Sequence, residues 1–324
     1  MFFRDDSDTA YVAALQGFVA QAYGLMVTGV QAMPRGFYGE TWAIKTAEGR
    51  YFCKIVRYGA HQKRYRQSFT TLWALQKAGL TCVPRVIAPV EGNALWAAFQ
   101  GGTLGLFSMV EGVHLEDPPF VEMVGMLAEI YHATPQKMDV EAEDFSMPYL
   151  GLYSGIMHEF SRQRNDEIIR QAVAMCRMRE MDTLHYMERL RRFAALCNIS
   201  RKYFYITNGD VGGNVMRRRQ ELVLVDWVYP MLAPPERDLW PYMSDPRMIE
   251  QANRTFIHNG LDYRLQDMRL AYYCYHSYFY YLFEYLLALV EPDDATRERT
   301  LEGLVGYLRP DCWIYENLRA AERI

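Results

Sequence analysis

Several common signatures are missing from this chain. None of its six cysteines (Cys53, Cys82, Cys176, Cys197, Cys274, Cys312) forms a CxxC pair, and no Cys/His group has zinc spacing. That pattern argues against a disulfide scaffold or a zinc module and predicts reduced thiols in a cytoplasmic protein. Positive charge is not in excess: 35 Lys and Arg stand against 39 Asp and Glu, so nothing in the balance points to a nucleic-acid partner. The most apolar late segment, 270–290, is interrupted by His276, Ser277, Glu284 and many tyrosines, and reads as a buried helix rather than a membrane span. The opening MFFRDDSDTA is too short and too acidic for a signal peptide. No GxxxxGK[ST] occurs, which removes a Walker-type nucleotide site. Neither Asp nor Glu appears between Gly49 and Val90.

Turn chemistry and hydrophobic periodicity organise what is present. Asp8 predicts the cap of a helix running to about Tyr23. Strand-like pieces follow at Leu25–Gln31, Thr41–Thr46 and Tyr51–Val56, the last two joined by the turn Ala47-Glu48-Gly49-Arg50. Gln62–Ala78 reads as a helix stopped by Gly79, and Val86–Pro89, Ala94–Phe99 and Leu104–Val110 read as further strands. From Pro118 onward helical periodicity dominates, apart from strands around Asp210 and Asp226. The expected class is α+β: a small antiparallel-sheet lobe over 1–111, then a large, mostly helical lobe over 112–324.

The most informative stretch is Tyr205–Trp240, YITNGDVGGNVMRRRQELVLVDWVYPMLAPPERDLW. It reads as strand, glycine loop, strand, then a second carboxylate at a strand end. Asp210 and Asn214 lie in the loop, and Asp226 follows the apolar run Leu222–Val225. Alone, the loop pair can be an Asx turn and Asp226 a strand terminus. Together they supply what phosphoryl transfer from Mg-ATP needs: a proton acceptor and two hard oxygen ligands for magnesium. Lys54, inside the strand Tyr51–Val56, is either a solvent-facing residue or a phosphate contact. Gly36 and Gly39, in Pro34–Glu40, belong either to a plain hairpin turn or to a loop whose amides approach phosphate. Asp238, after Pro234-Pro235, reads as structural, and His132 as a packed core histidine. The nine aromatics in Tyr272–Tyr285 read mostly as core, with a minority lining a pocket.

These residues resemble the aminoglycoside phosphotransferase and choline kinase-like family, relatives of the protein kinases. Val225-Asp226-Trp227 followed by Leu232–Leu239 looks most like the spectinomycin phosphotransferase branch, and the pattern is also similar to that of the spore-coat kinase-like proteins. The resemblance implies a bilobal protein-kinase-like fold with ATP and Mg²⁺ as cofactors and a small hydroxylated molecule as acceptor, held by the helical lobe. It implies Lys54 on the α- and β-phosphates, a backbone hinge over Ser108–Glu111 (Met109, Val110, Glu111) on adenine, Asp210 as base, and Asn214 and Asp226 on the metal. The chain departs from the family in four places. Asn208 stands where the family has histidine, and Asn214 follows Asp210 by four residues rather than five. The helix after Lys54 lacks the glutamate that pairs with the lysine, Gln67 or Ser68 standing roughly there. The late string Tyr272-Tyr273-Cys274-Tyr275-His276 has lost charges present in the branch, which argues against a polycationic acceptor. The alternative expectation is a catalytically weak or inactive kinase-like protein with a binding or structural role.

Overall fold

The computed structural model describes residues 8–34, 39–57, 59–135, 138–163, 165–197, 199–290 and 294–324. The chain divides into two compact units. One comprises Met1–Ala142, Tyr205–Leu232 and His258–Leu261; the other comprises Glu143–Phe204, Ala233–Ile257 and Asp262–Ile324.

The first unit opens with α1 (Thr9–Tyr23), whose free amides at Ala10 and Tyr11 are capped by the Asp8 carboxylate at 3.0 and 3.1 Å. Strands β1 (Val27–Ala32), β2 (Glu40–Thr46) and β3 (Arg50–Val56) lead into α2 (Gly59–Lys77). Then come β4 (Val86–Ile87), β5 (Ala97–Phe99) and β6 (Gly102–Ser108). They form an antiparallel sheet in the order β1-β2-β3-β6-β4, with β5 also on β6. All six strands overlap the segments the sequence predicts, with β4 and β5 shorter than expected. Side chains alternate across the sheet. Trp42, Ile44, Cys53, Ile55, Leu104 and Leu106 join Tyr11, Leu15 and Val19 of α1 in one buried core. On the opposite face Phe107 stacks on Phe69 of α2, with ring centroids 5.2 Å apart. Lys54 belongs to this second face by register, paired with Thr41 and Gly105. Gly105 is required there, because an added Cβ would fall 1.9 Å from the Phe69 ring.

The unit continues through β7 (Val113–Leu115) and α3 (Phe120–His132), and later regains the chain at β8 (Tyr205–Thr207), β9 (Val215–Arg218), β10 (Glu221–Leu224) and β11 (Met231–Ala233). β7 is absent from the sequence expectation. Its three residues are mostly exposed and carry no alternation, and it exists because it pairs with β9. His132 is also corrected: it is exposed on the last turn of α3, with Nε2 2.8 Å from the Asn259 carbonyl, not packed in a core. The helical period reaches His132 just where the helix ends.

The second unit is helical: α4 (Pro148–Arg162), α5 (Glu167–Met178), α6 (Glu180–Leu196), α7 (Glu236–Leu239), α8 (Pro246–His258), α9 (Asp267–Ala288), α10 (Asp294–Tyr307) and α11 (Ile314–Ala321). α9 is its axis and packs against α4, α6, α10 and α11. As expected, most of its aromatics are core: Tyr272, Tyr273, Tyr275, Tyr278 and Phe279 are buried, while Tyr280, Tyr281, Phe283 and Tyr285 are half-buried. The buried rings keep partners for their hydroxyls. Tyr272 donates to the Ser146 carbonyl at 2.7 Å, Tyr273 to Glu143 Oε2 at 2.9 Å, and Tyr275 to Glu322. Among the described residues, no helix is long and apolar enough to cross a membrane.

Candidate active site

Lys54, Asp210, Asn214 and Asp226 all fall in the first unit, as two bonded pairs, Lys54–Asp226 and Asp210–Asn214. Lys54 is almost fully buried, and its Nζ donates to Asp226 Oδ1 at 2.6 Å. This is not a solvent-facing strand lysine. α2 offers it no carboxylate, so Asp226 is its charge partner. Tyr65 of α2 contributes a neutral contact instead, donating its hydroxyl to the Lys54 carbonyl at 3.2 Å.

Asp226 follows β10 in a left-handed backbone conformation (φ 52°). That conformation is uncommon outside glycine, though asparagine and aspartate tolerate it best, and it recurs at functional sites. The turn is held by the Val228 amide on the Asp226 carbonyl (3.1 Å) and by the Trp227 indole N–H on the Leu224 carbonyl (2.8 Å). About two-fifths of the Asp226 side chain remains exposed (42%), leaving a carboxylate edge for a further ligand.

The glycine loop lies between β8 and β9. Asn208 Oδ1 accepts the Asp210 amide at 2.9 Å, and its Nδ2 donates to the Asp226 carbonyl at a long 3.4 Å. Asn208 therefore ties the Asp210 loop to the Asp226 turn. Asn214 donates Nδ2 both to the Asp210 carbonyl (2.7 Å) and to Asp210 Oδ2 (3.0 Å). Its backbone is locked as well, the amide donating to Val211 and the carbonyl accepting from Val225 (3.1 and 2.8 Å). The four-residue spacing does not carry Asn214 away from Asp210. With both amide hydrogens committed, Oδ1 is the atom left to meet a hard cation.

A cavity of about 760 Å³ opens beside the first pair, lined by Lys54 and Asp226, by Met109, Val110 and Glu111, and by apolar walls that include Phe52, Phe107 and Met216. The Met109 amide donates to the Arg50 carbonyl at 3.0 Å. That leaves the Met109 carbonyl and the Val110 amide without a backbone partner among the described residues. Met109, Val110, Glu111, Lys54 and Asp226 are thus brought to one cavity, while Asp210 and Asn214 are not among its lining residues and are tied to the Asp226 turn through Asn208 and the Val225 amide. Gly39 has a packing reason of its own: a Cβ there would lie 2.4 Å from the Ile55 carbonyl. Gly36 lies outside the described residues. Sequence reasoning does not single out the walls Phe52, Phe107 and Tyr65. A signal for Phe52 is present in its two-residue spacing from Lys54 on a strand. Asp238 is buried in the second unit, as its structural reading expects.

The model of the phosphotransferase enzyme family matches residues 29–271. The chain belongs to that family. Among solved structures, spectinomycin phosphotransferase in complex with ADP and spectinomycin shares 15% identity with the chain at a TM-score of 0.76, covering 96% of this chain and 98% of that one. A choline/ethanolamine kinase family protein from Mesorhizobium loti shares 11% at a TM-score of 0.54, covering 96% and 99%. Amicoumacin kinase, solved with AMP-PNP and Ca²⁺, shares 14% at a TM-score of 0.57, covering 93% and 94%. Among curated proteins none matches. At these identities the likeness establishes the fold: the α+β, kinase-like architecture expected from the sequence is the one this family member has.

Proposed function

We propose that the protein transfers the γ-phosphoryl group of ATP to a hydroxyl of a small molecule in the cytoplasm, with 1–111 binding the nucleotide and 112–324 supplying the catalytic residues and the acceptor site. The observation that carries this reading is the Lys54–Asp226 pair in a cavity edged by Met109–Glu111, together with the Asp210–Asn214 pair that Asn208 ties to the Asp226 turn. The donor set suits magnesium. Asp226 offers a carboxylate and Asn214 an amide oxygen, and Mg²⁺ takes one or two protein oxygens and completes its shell with water and phosphate. Bound there, the metal would neutralise charge on the β- and γ-phosphates.

The chain's own residues do the rest. The Met109 carbonyl and Val110 amide meet the edge of adenine, between apolar walls. Lys54 contacts the α- and β-phosphates. Asp210 accepts the proton of the attacking hydroxyl, whose oxygen bonds to the γ-phosphorus as the bond to the bridging oxygen breaks and ADP leaves with that electron pair. Asn214 holds the Asp210 carboxylate in place, so catalysis comes from positioning and electrostatics.

The test is calorimetric titration of ATP with and without Mg²⁺ on the wild type and on Asp226→Ala. Magnesium-dependent binding that disappears in the variant is the expected result. A wild type that binds no nucleotide with any metal would overturn the proposal in favour of a kinase-like scaffold.

A further inference from the structure

α2 contacts both halves of the proposed phosphate site without using an acid. Two consecutive residues divide the task. Tyr65 holds the Lys54 carbonyl on β3. Arg64 lays its guanidinium over the Tyr229 ring, 3.9 Å from the centroid. Tyr229 stands three residues after Asp226, across the tight turn closed by the Val228 amide. The Tyr229 hydroxyl donates to Glu141 Oε2 at 2.8 Å, and Glu141 is itself fixed by its carbonyl, which accepts the Leu232 amide at 2.9 Å. Lys63, the residue before Arg64, lies 3.8 Å from Glu141 Oε1. That outer pair is largely exposed and adds little. The Arg64 stack is the half-buried, directional link.

We propose that Arg64 and Tyr229 are positioning residues for Asp226. In this chain the arginine–tyrosine stack couples α2 to the turn that carries Asp226, whereas an acid on that helix would pair with Lys54 on β3. The inference rests on the phosphotransfer reading, since it assigns Asp226 to the metal. Its physical content is narrow. Lys54 already draws Asp226 toward β3 through the 2.6 Å contact, and Tyr229, three residues on, is held by Arg64 and Glu141. With the stack removed, Asp226 keeps its charge, its Lys54 contact and the bonds to its carbonyl, but its turn loses the link to α2.

The test compares ATP binding with and without Mg²⁺ by calorimetry for the wild type, Tyr229→Ala, Tyr229→Phe and Arg64→Met, with thermal melting of each. Tyr229→Ala and Arg64→Met are expected to lower the magnesium-dependent gain in affinity by about tenfold while leaving metal-free ATP binding unchanged. Tyr229→Phe keeps the ring under Arg64 and is expected to restore most of that gain. An unchanged magnesium gain in both truncating variants would overturn the proposal. Equal losses with and without metal would also overturn it, because they mark a general structural role. If Tyr229→Ala does not fold, Arg64→Met on the helix surface gives the same reading. A wild type with no magnesium gain would sink the phosphotransfer reading first and this inference with it, whereas a wild-type gain that survives Arg64→Met sinks this inference alone.

Discussion

The two units use buried acid in opposite ways. In the first, the Asp226 side chain is 42% exposed and has Lys54 as its charged partner, so the pair can still take on a ligand. In the second, Glu236 is fully buried and every direction is occupied: its Oε1 accepts the Gln266 amide (2.8 Å) and Arg269 Nε (3.1 Å), and its Oε2 accepts the Tyr263 hydroxyl (2.7 Å). Burial raises the Glu236 carboxyl above the usual carboxylate range, and Arg269, Tyr263 and the Gln266 amide pull it back. A saturated carboxylate holds a fold, while a partly saturated one is available for chemistry.

Substitutions can break this comparison or sharpen it. The largest expected effect is functional: Asp210→Asn should cut phosphoryl transfer by on the order of a hundred- to ten-thousandfold while thermal melting stays at the wild-type value. Turnover near wild type in that variant would remove Asp210 from the base role. Glu236→Ala should do the reverse, lowering stability in urea by about 3–5 kcal/mol by leaving the Arg269 charge enclosed and unpaired, with no direct effect on nucleotide affinity per folded molecule. Gly105→Ala should cost about 1–3 kcal/mol, because Phe69 must retreat from the new methyl, and should also weaken ATP binding through displacement of Tyr65 and Lys54. The smallest effect is a pH dependence in the first unit. Burial first, and Arg64 second, lower the His61 pKa from 6.5 to about 4. The folded state therefore resists a proton that the unfolded chain accepts. That contribution is fully present above pH 6.5 and is lost as pH falls toward 4. His61→Gln should flatten the fall in melting temperature over that window, and a curve identical to wild type would refute the assignment.

Much of this is legible in the chain because local chemistry and tertiary demand agree. Asp8 announces α1, the Ala47–Arg50 turn announces a hairpin, and Asp210, Asn214 and Asp226 sit beside strands whose apolar runs are unmistakable. Other features are hidden because they exist only across sequence distance. β7 is three mostly exposed residues until β9 supplies its partner. Arg64 reads as one of several cations on an acid-free helix until Tyr229 arrives beneath it. Lys54 leaves two readings open because a strand's alternation does not say which face is covered, and the pairing of β3 between β2 and β6 decides it. Helical period alone misplaces His132, because it cannot tell the last turn of α3 from its middle. The missing helix acid is visible at once, but its meaning is not, since only the fold shows Lys54 turning to Asp226.

Asn208 carries one more consequence. It bridges the Asp210 amide and the Asp226 carbonyl with an amide side chain rather than an imidazole. A primary amide neither gains nor loses a proton in water near neutrality, so the strut between Asp210 and Asp226 has one protonation state and needs no tautomer to be selected. The link between the two loops is thus insulated from acidity in the medium.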